Sequence, residues 1–365
     1  MMISFFRYIL FCLCVFLSTS TATADNKNHV SIGIILPLHQ ADGDGKRMTE
    51  YYRGMLMAFD QLKSEGYSID VHAWNVNADA DIRTTLLDEH TAKCDIIFGP
   101  LYSKQVKPLA DFCQSKNIRL VIPFSISDTD IASNKSIFQV YQDDTRLLNA
   151  TLNAFLERFS KCHPVFVDCN DASSKKGVFT MALRRQLEAK GITYNVTNLK
   201  SDDEAFAKAF IKEKTNVVIL NTARSPELNE AFTKLERFDQ LRPGTPISMF
   251  GYTEWLMYAP YDFNHFCKYD TYIPTTFYYN ASSTATTALE RSYRSWFHEP
   301  MQQALPRFAI TGYDHLCAWV CKIRTKVSWQ QVATGLQVLA ISIKVRTCGK
   351  GRTHQLEFPA DTLSL

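Results

Sequence analysis

The sequence predicts an α/β protein of two doubly wound lobes, each a parallel sheet with helices on both faces. Three observations carry this. Short, nearly continuous apolar runs recur along the chain, as strands buried on both faces require. Between them lie stretches with apolar residues at i, i+3, i+4 and i+7, the stripe of a helix lying on a sheet. The chain has 365 residues, and the about 340 that follow an export signal exceed the length at which one hydrophobic core usually keeps growing.

The elements follow in order. Arg7 precedes the apolar run Tyr8 to Leu17, and Ala22-Thr23-Ala24 supplies a small-x-small cleavage site, so residues 1–24 read as a signal peptide cut near Ala24. The run is far short of the roughly 20 apolar residues of a bilayer span. Val30 to Leu38 (VSIGIILPL) is the first strand, and Tyr52, Met55, Leu56, Phe59 and Leu62 stripe the first helix, which Gly66 ends. Ile69 to Trp74 is a strand, Asn75 to Asp81 a loop with Asp81 as N-cap, and Ile82 to His90 a helix. Asp95 to Phe98 is a strand stopped by Gly99-Pro100. Val106, Leu109, Ala110 and Cys113 then stripe a helix, and Leu120 to Phe124 is a strand. Repeated strand–helix units of this length imply right-handed crossovers and a parallel sheet.

Past Tyr141 the cycle restarts. A helix on Leu148, Thr151, Leu152, Phe155 and Phe159 leads to a strand at Val165 to Val167, a helix from Val178 to Lys190 and a strand from Tyr194 to Leu199. Phe206, Ala209 and Phe210 mark a helix before the strand Val217 to Leu220. Leu228, Ala231, Phe232, Leu235 and Phe238 mark another before Ile247 to Phe250. Thr271 to Tyr279 is extended, Leu289 to Phe297 a short helix, and Gly312-Tyr313-Asp314 leads into a further helix. No low-complexity linker separates the halves, which suits lobes joined by several crossings.

Composition narrows the function. With 46% apolar and 21% charged residues and a formal charge of +3, the chain has no nucleic-acid signature. Its basicity comes from the end: no acidic residue lies between Asp314 and Glu357, a stretch holding Lys322, Arg324, Lys326, Lys344, Arg346, Lys350 and Arg352. Eight cysteines follow the signal. Cys162 and Cys169 flank one strand, and seven residues at about 3.3 Å each exceed the roughly 7 Å limit for a disulfide. Cys317 and Cys321 lack the second ligand pair of a zinc site and read as buried thiols. G-x-S-x-G, H-E-x-x-H, G-x-G-x-x-G and phosphate-loop patterns are missing, so neither an enzyme nor a metal or cofactor is expected.

What remains are residues at the carboxyl ends of strands, where open α/β sheets bind ligands. Tyr102 and Ser103 follow one strand at the start of a helix whose free N–H groups favour an anion. Ser103 acting only as a helix cap is the alternative. Ser125 and Ser127 follow the next strand. In the second half the equivalent positions are Asn170 and Asp171, then Asn221 and Arg224, then Tyr252, Glu254 and Trp255.

The series VSIGIILPL, YYRGMLMAFDQLKSEG, DIIFGPLYS, LVIPFSIS and FAITGYDH resembles the type I periplasmic binding proteins, the leucine/isoleucine/valine-binding family and its relatives, over roughly residues 30–320. The resemblance implies two Rossmann-like lobes joined by three hinge crossings, residues 29–142 with 274–325 and residues 143–273 with 326–365. It implies a strand or two returning to the second lobe near the end. Ser103 and Ser125 resemble the residues that hold an amino acid's carboxylate. Glu254, one position off the usual spacing, is similar to the acidic residue that takes the ammonium. The implied function is an exported solute-binding protein of the periplasm or cell envelope that closes on an amino acid or peptide-like ligand for uptake through an ABC permease or for sensing. The alternative comes from the related activators of peptidoglycan synthases, whose lobes dock a cell-wall enzyme beside a vestigial cleft.

Overall fold

Five strands, β1 (His29–Leu36), β2 (Ser68–Asn75), β3 (Ile96–Phe98), β4 (Arg119–Ile122) and β5 (Ile137–Gln139), form a parallel sheet in the order β2-β1-β3-β4-β5. The computed structural model describes residues 29–124, 134–140, 144–276, 283–321, 341–347 and 354–357. The signal segment and Cys348 lie outside them. Alternation along the strands divides the apolar side chains between two faces. Ile32, Ile34, Phe98 and Val121 meet α1 (Gly43–Ser64) and α10 (Phe308–Cys321), whereas Ile35, Ile97, Leu120 and Ile122 meet α3 (Val106–Lys116).

The second sheet repeats the plan. Strands β6 (His163–Asp168), β7 (Asn195–Asn198), β8 (Asn216–Leu220), β9 (Ile247–Phe250) and β10 (Thr271–Thr275) run parallel in the order β7-β6-β8-β9-β10. Their core is shared with α4 (Asp144–Phe159), α5 (Gly177–Ala189), α6 (Asp203–Ala207), α7 (Ser225–Leu241) and α8 (Ala259–Lys268), through side chains such as Phe155, Leu183, Phe206, Phe232 and Phe266. The returning strands β11 (Ile341–Thr347) and β12 (His354–Glu357) extend this sheet beyond β10, both antiparallel to their neighbours. The second sheet is therefore mixed, with a parallel body and an antiparallel edge.

The chain moves from the first sheet to the second between β5 and α4. It returns after β10 to place α9 (Thr284–Phe297) and α10 on the first half, then crosses again to β11. The return is clamped by two glycines. A Cβ on Gly54 of α1 would lie 1.8 Å from the Ala309 oxygen of α10, and one on Gly312 would lie 2.0 Å from the Tyr51 oxygen. The two backbones touch there. Around the seam, Tyr51 bonds to His315 at 3.1 Å, and Glu50 accepts the Gln302 N–H on both carboxylate oxygens at 3.0 Å.

Several elements depart from the sequence reading. The helix expected over Ile82 to His90 is only α2 (Ile82–Thr85). Asp88 stops it by accepting the His90 N–H at 2.9 Å and the Trp74 indole N–H at 3.0 Å, while Asp81 caps its start as expected by accepting the Arg83 N–H. The buried face of α1 runs Met48, Tyr51, Met55, Ala58 and Leu62, with Tyr52, Leu56 and Phe59 only half-buried, so the helix is rotated slightly from its expected stripe. Strand β5 and helix α8 have no counterpart in the sequence reading. The thiols of Cys94, Cys113, Cys162, Cys169, Cys267, Cys317 and Cys321 are all free, and Cys317 and Cys321 are half-buried rather than buried. Among the described residues no helix is long and apolar enough to cross a membrane.

Candidate functional site

In each sheet the chain leaves a central strand to one side and then to the other, so a crevice opens at the carboxyl ends of β1 and β3 and of β6 and β8. The first crevice is built on close backbone approach. Gly99, at φ +133°, follows β3, and a Cβ there would sit 2.1 Å from the Ile35 oxygen. Beyond it Tyr102 turns its hydroxyl to Asp44 at the start of α1, donating to Oδ2 at 3.2 Å, and Arg47 pairs with the other oxygen of Asp44. Burial, then the Asp44 charge, push the Tyr102 hydroxyl up to about 12, which keeps it a donor at neutral pH.

Ser103 begins a single 3₁₀ turn, Ser103–Gln105, that feeds α3. The turn has no side-chain cap, so Ser103 is not the helix cap that was the alternative for it. Its hydroxyl is exposed and makes no hydrogen bond among the described residues. Ser125 and Ser127 lie outside the described residues.

The second crevice is stitched across its own lips. Asn221, after β8, donates to Asp168 Oδ1 at 2.9 Å and accepts the Cys169 N–H at 2.8 Å, joining the ends of β8 and β6. Asp171 accepts from Thr222 Oγ1 at 2.7 Å and from the Ser173 N–H and hydroxyl at 3.0 and 2.6 Å, with Arg224 at 3.7 Å. The Ser173 and Thr222 hydroxyls lower its pKa, and its side chain is only 3% exposed. Asn170, in the left-handed region at φ +57°, forms a reciprocal amide pair with Asn198.

At the end of β9, Tyr252 is buried and donates to the Leu220 oxygen at 2.5 Å. Trp255 is fully buried, stacked on Phe266. Glu254 is exposed but meets Lys176 Nζ at 2.7 Å, and that ammonium lies 4.8 Å from the centre of the Tyr252 ring.

The structure thus gathers Tyr102 and Ser103 in one crevice, and Asp171, Asn221 and Arg224 in the other with Tyr252 and Glu254 at its margin. Sequence reasoning missed Lys176, Thr222 and Asp44. Lys176 and Glu254 stand 78 residues apart, and no local pattern joins them. Asp44 had a signal, an acidic residue in the first turn of α1. Among the described residues no group of three or more His, Cys, Asp or Glu is placed to hold a metal ion.

The sequence profile of the periplasmic binding proteins matches residues 29–355. A putative branched-chain amino acid ABC transporter from Rhodospirillum rubrum superposes with a TM-score of 0.56 at 14% identity, over 84% of this chain and 88% of that one. The branched chain amino acid ABC transporter periplasmic ligand-binding protein of Burkholderia xenovorans LB400 gives a TM-score of 0.53 at 13% identity, over 91% and 94%. At such identities the likeness is one of fold. No curated protein matches in sequence.

Proposed function

The chain belongs to the periplasmic binding protein family, and from that premise we propose that it is a non-enzymatic, exported solute-binding protein that captures a small amino-acid or peptide-like ligand in the cleft between its lobes. The observation that carries this is the exposed Ser103 hydroxyl beside Tyr102, without a hydrogen bond among the described residues, at the switch point of the first sheet. A hydroxyl left without a partner where an open α/β sheet binds its ligands is suited to a carboxylate oxygen. Ser125, on the neighbouring strand end, is the second proposed contact. Ligand contacts to both lobes exist only when the lobes are closed, so differential affinity for the closed form sets how far closure goes. Closed, loaded protein is then the form an ABC permease or a sensor reads. Export by the N-terminal segment places it in the periplasm.

Isothermal calorimetry against amino acids and short peptides tests this. Ser103→Ala should weaken the tightest of these ligands by roughly 1–3 kcal/mol, the range for a hydrogen bond to a charged partner. Unchanged affinity removes Ser103 from the site.

A second reading has its own observation in favour. The acidic groups of the second lobe are already engaged, Asp171 by Ser173, Thr222 and Arg224, and Glu254 by Lys176. Such a crevice suits an envelope protein that docks a peptidoglycan synthase instead of a solute. Calorimetric silence across the panel, together with direct binding of a purified peptidoglycan synthase, favours that reading over the first.

A further inference from the structure

The charges at the carboxyl end of the second sheet are unequally exposed. Asp171 keeps 3% of its side-chain surface and Glu227 17%, whereas Arg224 keeps 55% and Lys176 30%. Glu254, at 48%, opposes them, and Lys176 holds it at 2.7 Å. Two further features fix Lys176 there. Its ammonium lies 4.8 Å from the Tyr252 ring centre, whose negative face attracts a cation. That ring is held by a hydrogen bond from its own hydroxyl to the Leu220 oxygen at 2.5 Å. Lys176 also stands at the start of α5, where the helix dipole repels a cation and the first turn has no acidic residue. Glu254 is the compensating charge.

From this arrangement we propose that Lys176 is the specificity-determining residue of the second lobe, neutralising Glu254 as an acceptor for a ligand ammonium and presenting its own charge to a ligand anion. The inference rests on the solute-binding reading and names its ligand class: small dianions, such as dicarboxylates and acidic dipeptides, rather than neutral zwitterionic amino acids. An ammonium carries three donors and the bond to Glu254 uses one, so Lys176 keeps donors for a carboxylate. A ligand ammonium would have to displace Lys176 from both Glu254 and the Tyr252 ring. A second carboxylate need displace nothing.

The test uses wild type, Lys176→Arg and Lys176→Met, each followed by thermal melting and calorimetry with glutarate, an aspartyl-glutamate dipeptide and leucine. In wild type a dianion should raise the melting temperature by several degrees, as ligand well above its Kd does, while leucine leaves it unmoved. Lys176→Arg should keep this preference. Lys176→Met should bind the dianion about tenfold or more weakly, as loss of a charged hydrogen-bond partner requires, and should gain a leucine response through the freed Glu254. A purely structural role for Lys176 would move both ligands together. Leucine stabilising wild type as well as the dianions do, or an unchanged dianion Kd in Lys176→Met, overturns the proposal and leaves the solute-binding reading standing. Silence of all three proteins towards every probe overturns the proposal and leaves the solute-binding reading to the wider calorimetric panel. Should Lys176→Met fail to fold, wild-type selectivity alone decides.

Discussion

Burial sets the chemistry of His315. The ring is 4% exposed, bonded to the Tyr51 hydroxyl at 3.1 Å, and its surroundings push its pKa down to about 3. A histidine whose pKa falls on folding contributes stability that is present above the unfolded value near 6.5 and is lost as pH falls towards 3. Between pH 7 and pH 5 the His315 share is a loss of about 2 kcal/mol, since each pKa unit is worth about 1.4 kcal/mol, while neighbouring Asp314, raised by burial to about 6, gains stability over the same range. Urea titrations of wild type and His315→Gln, which keeps a partner for Tyr51 but cannot titrate, measure it as the difference between the two pH slopes, expected to be about 2 kcal/mol. Equal slopes in both proteins would show that His315 is not the group responsible. Asn221 offers a second residue-scale test. Asn221→Asp sets a carboxylate against Asp168 and loses the donor that joined them. The variant should be less stable than Asn221→Ala at pH 7, by roughly 1–3 kcal/mol; equal stability would show that Asp168 and position 221 do not meet. The proposed site residues Tyr102 and Ser103 could be placed at a strand end from the sequence because a strand end is a local feature. The Asn221–Asp168 and Lys176–Glu254 pairs could not, because they join residues 53 and 78 positions apart.

Elements, by contrast, were legible wherever a pattern ran long enough to repeat. The stripes of α4 and α7 and the buried runs of β1 and β8 appear where periodicity places them. Strand β5 has three residues, too few to show a period of two. Helix α8 opens on Ala259-Pro260 and buries only Asp262 and Phe266, so no apolar stripe announces it. The rotation of α1 has a cause that no single-helix pattern carries, because Gly54 must face Ala309. That seam is testable. Gly312→Ala would raise the stability of an isolated helix by up to about 1 kcal/mol. Here the new methyl meets the Tyr51 backbone at 2.0 Å, and backbone cannot rotate away as a side chain can. Gly312→Ala and Gly54→Ala should therefore each cost about 1–3 kcal/mol, the usual range for overpacking. A urea midpoint equal to or above wild type in either variant would mean that α1 and α10 do not touch there.

At the scale of the whole molecule, the two sheets own separate cores. Phe155, Phe166, Phe232 and Phe250 belong to one cluster, and Ile32, Met55, Phe98 and Trp319 to another. The closing segments still interleave, since the chain visits the first half, the second, the first and the second again. Covalent interleaving restrains the halves, while separate hydrophobic clusters give each half its own packing to lose on melting. Ligand-free protein should then unfold with a calorimetric enthalpy well above its van't Hoff enthalpy, the mark of more than one cooperative unit. A ligand bound by both lobes, as proposed, would add coupling, since either half must release it to unfold. Saturating ligand should raise the first transition most and draw the ratio of the two enthalpies towards one. A ratio of one without ligand would mean that the halves already unfold as a single body, and that closure is not what joins them.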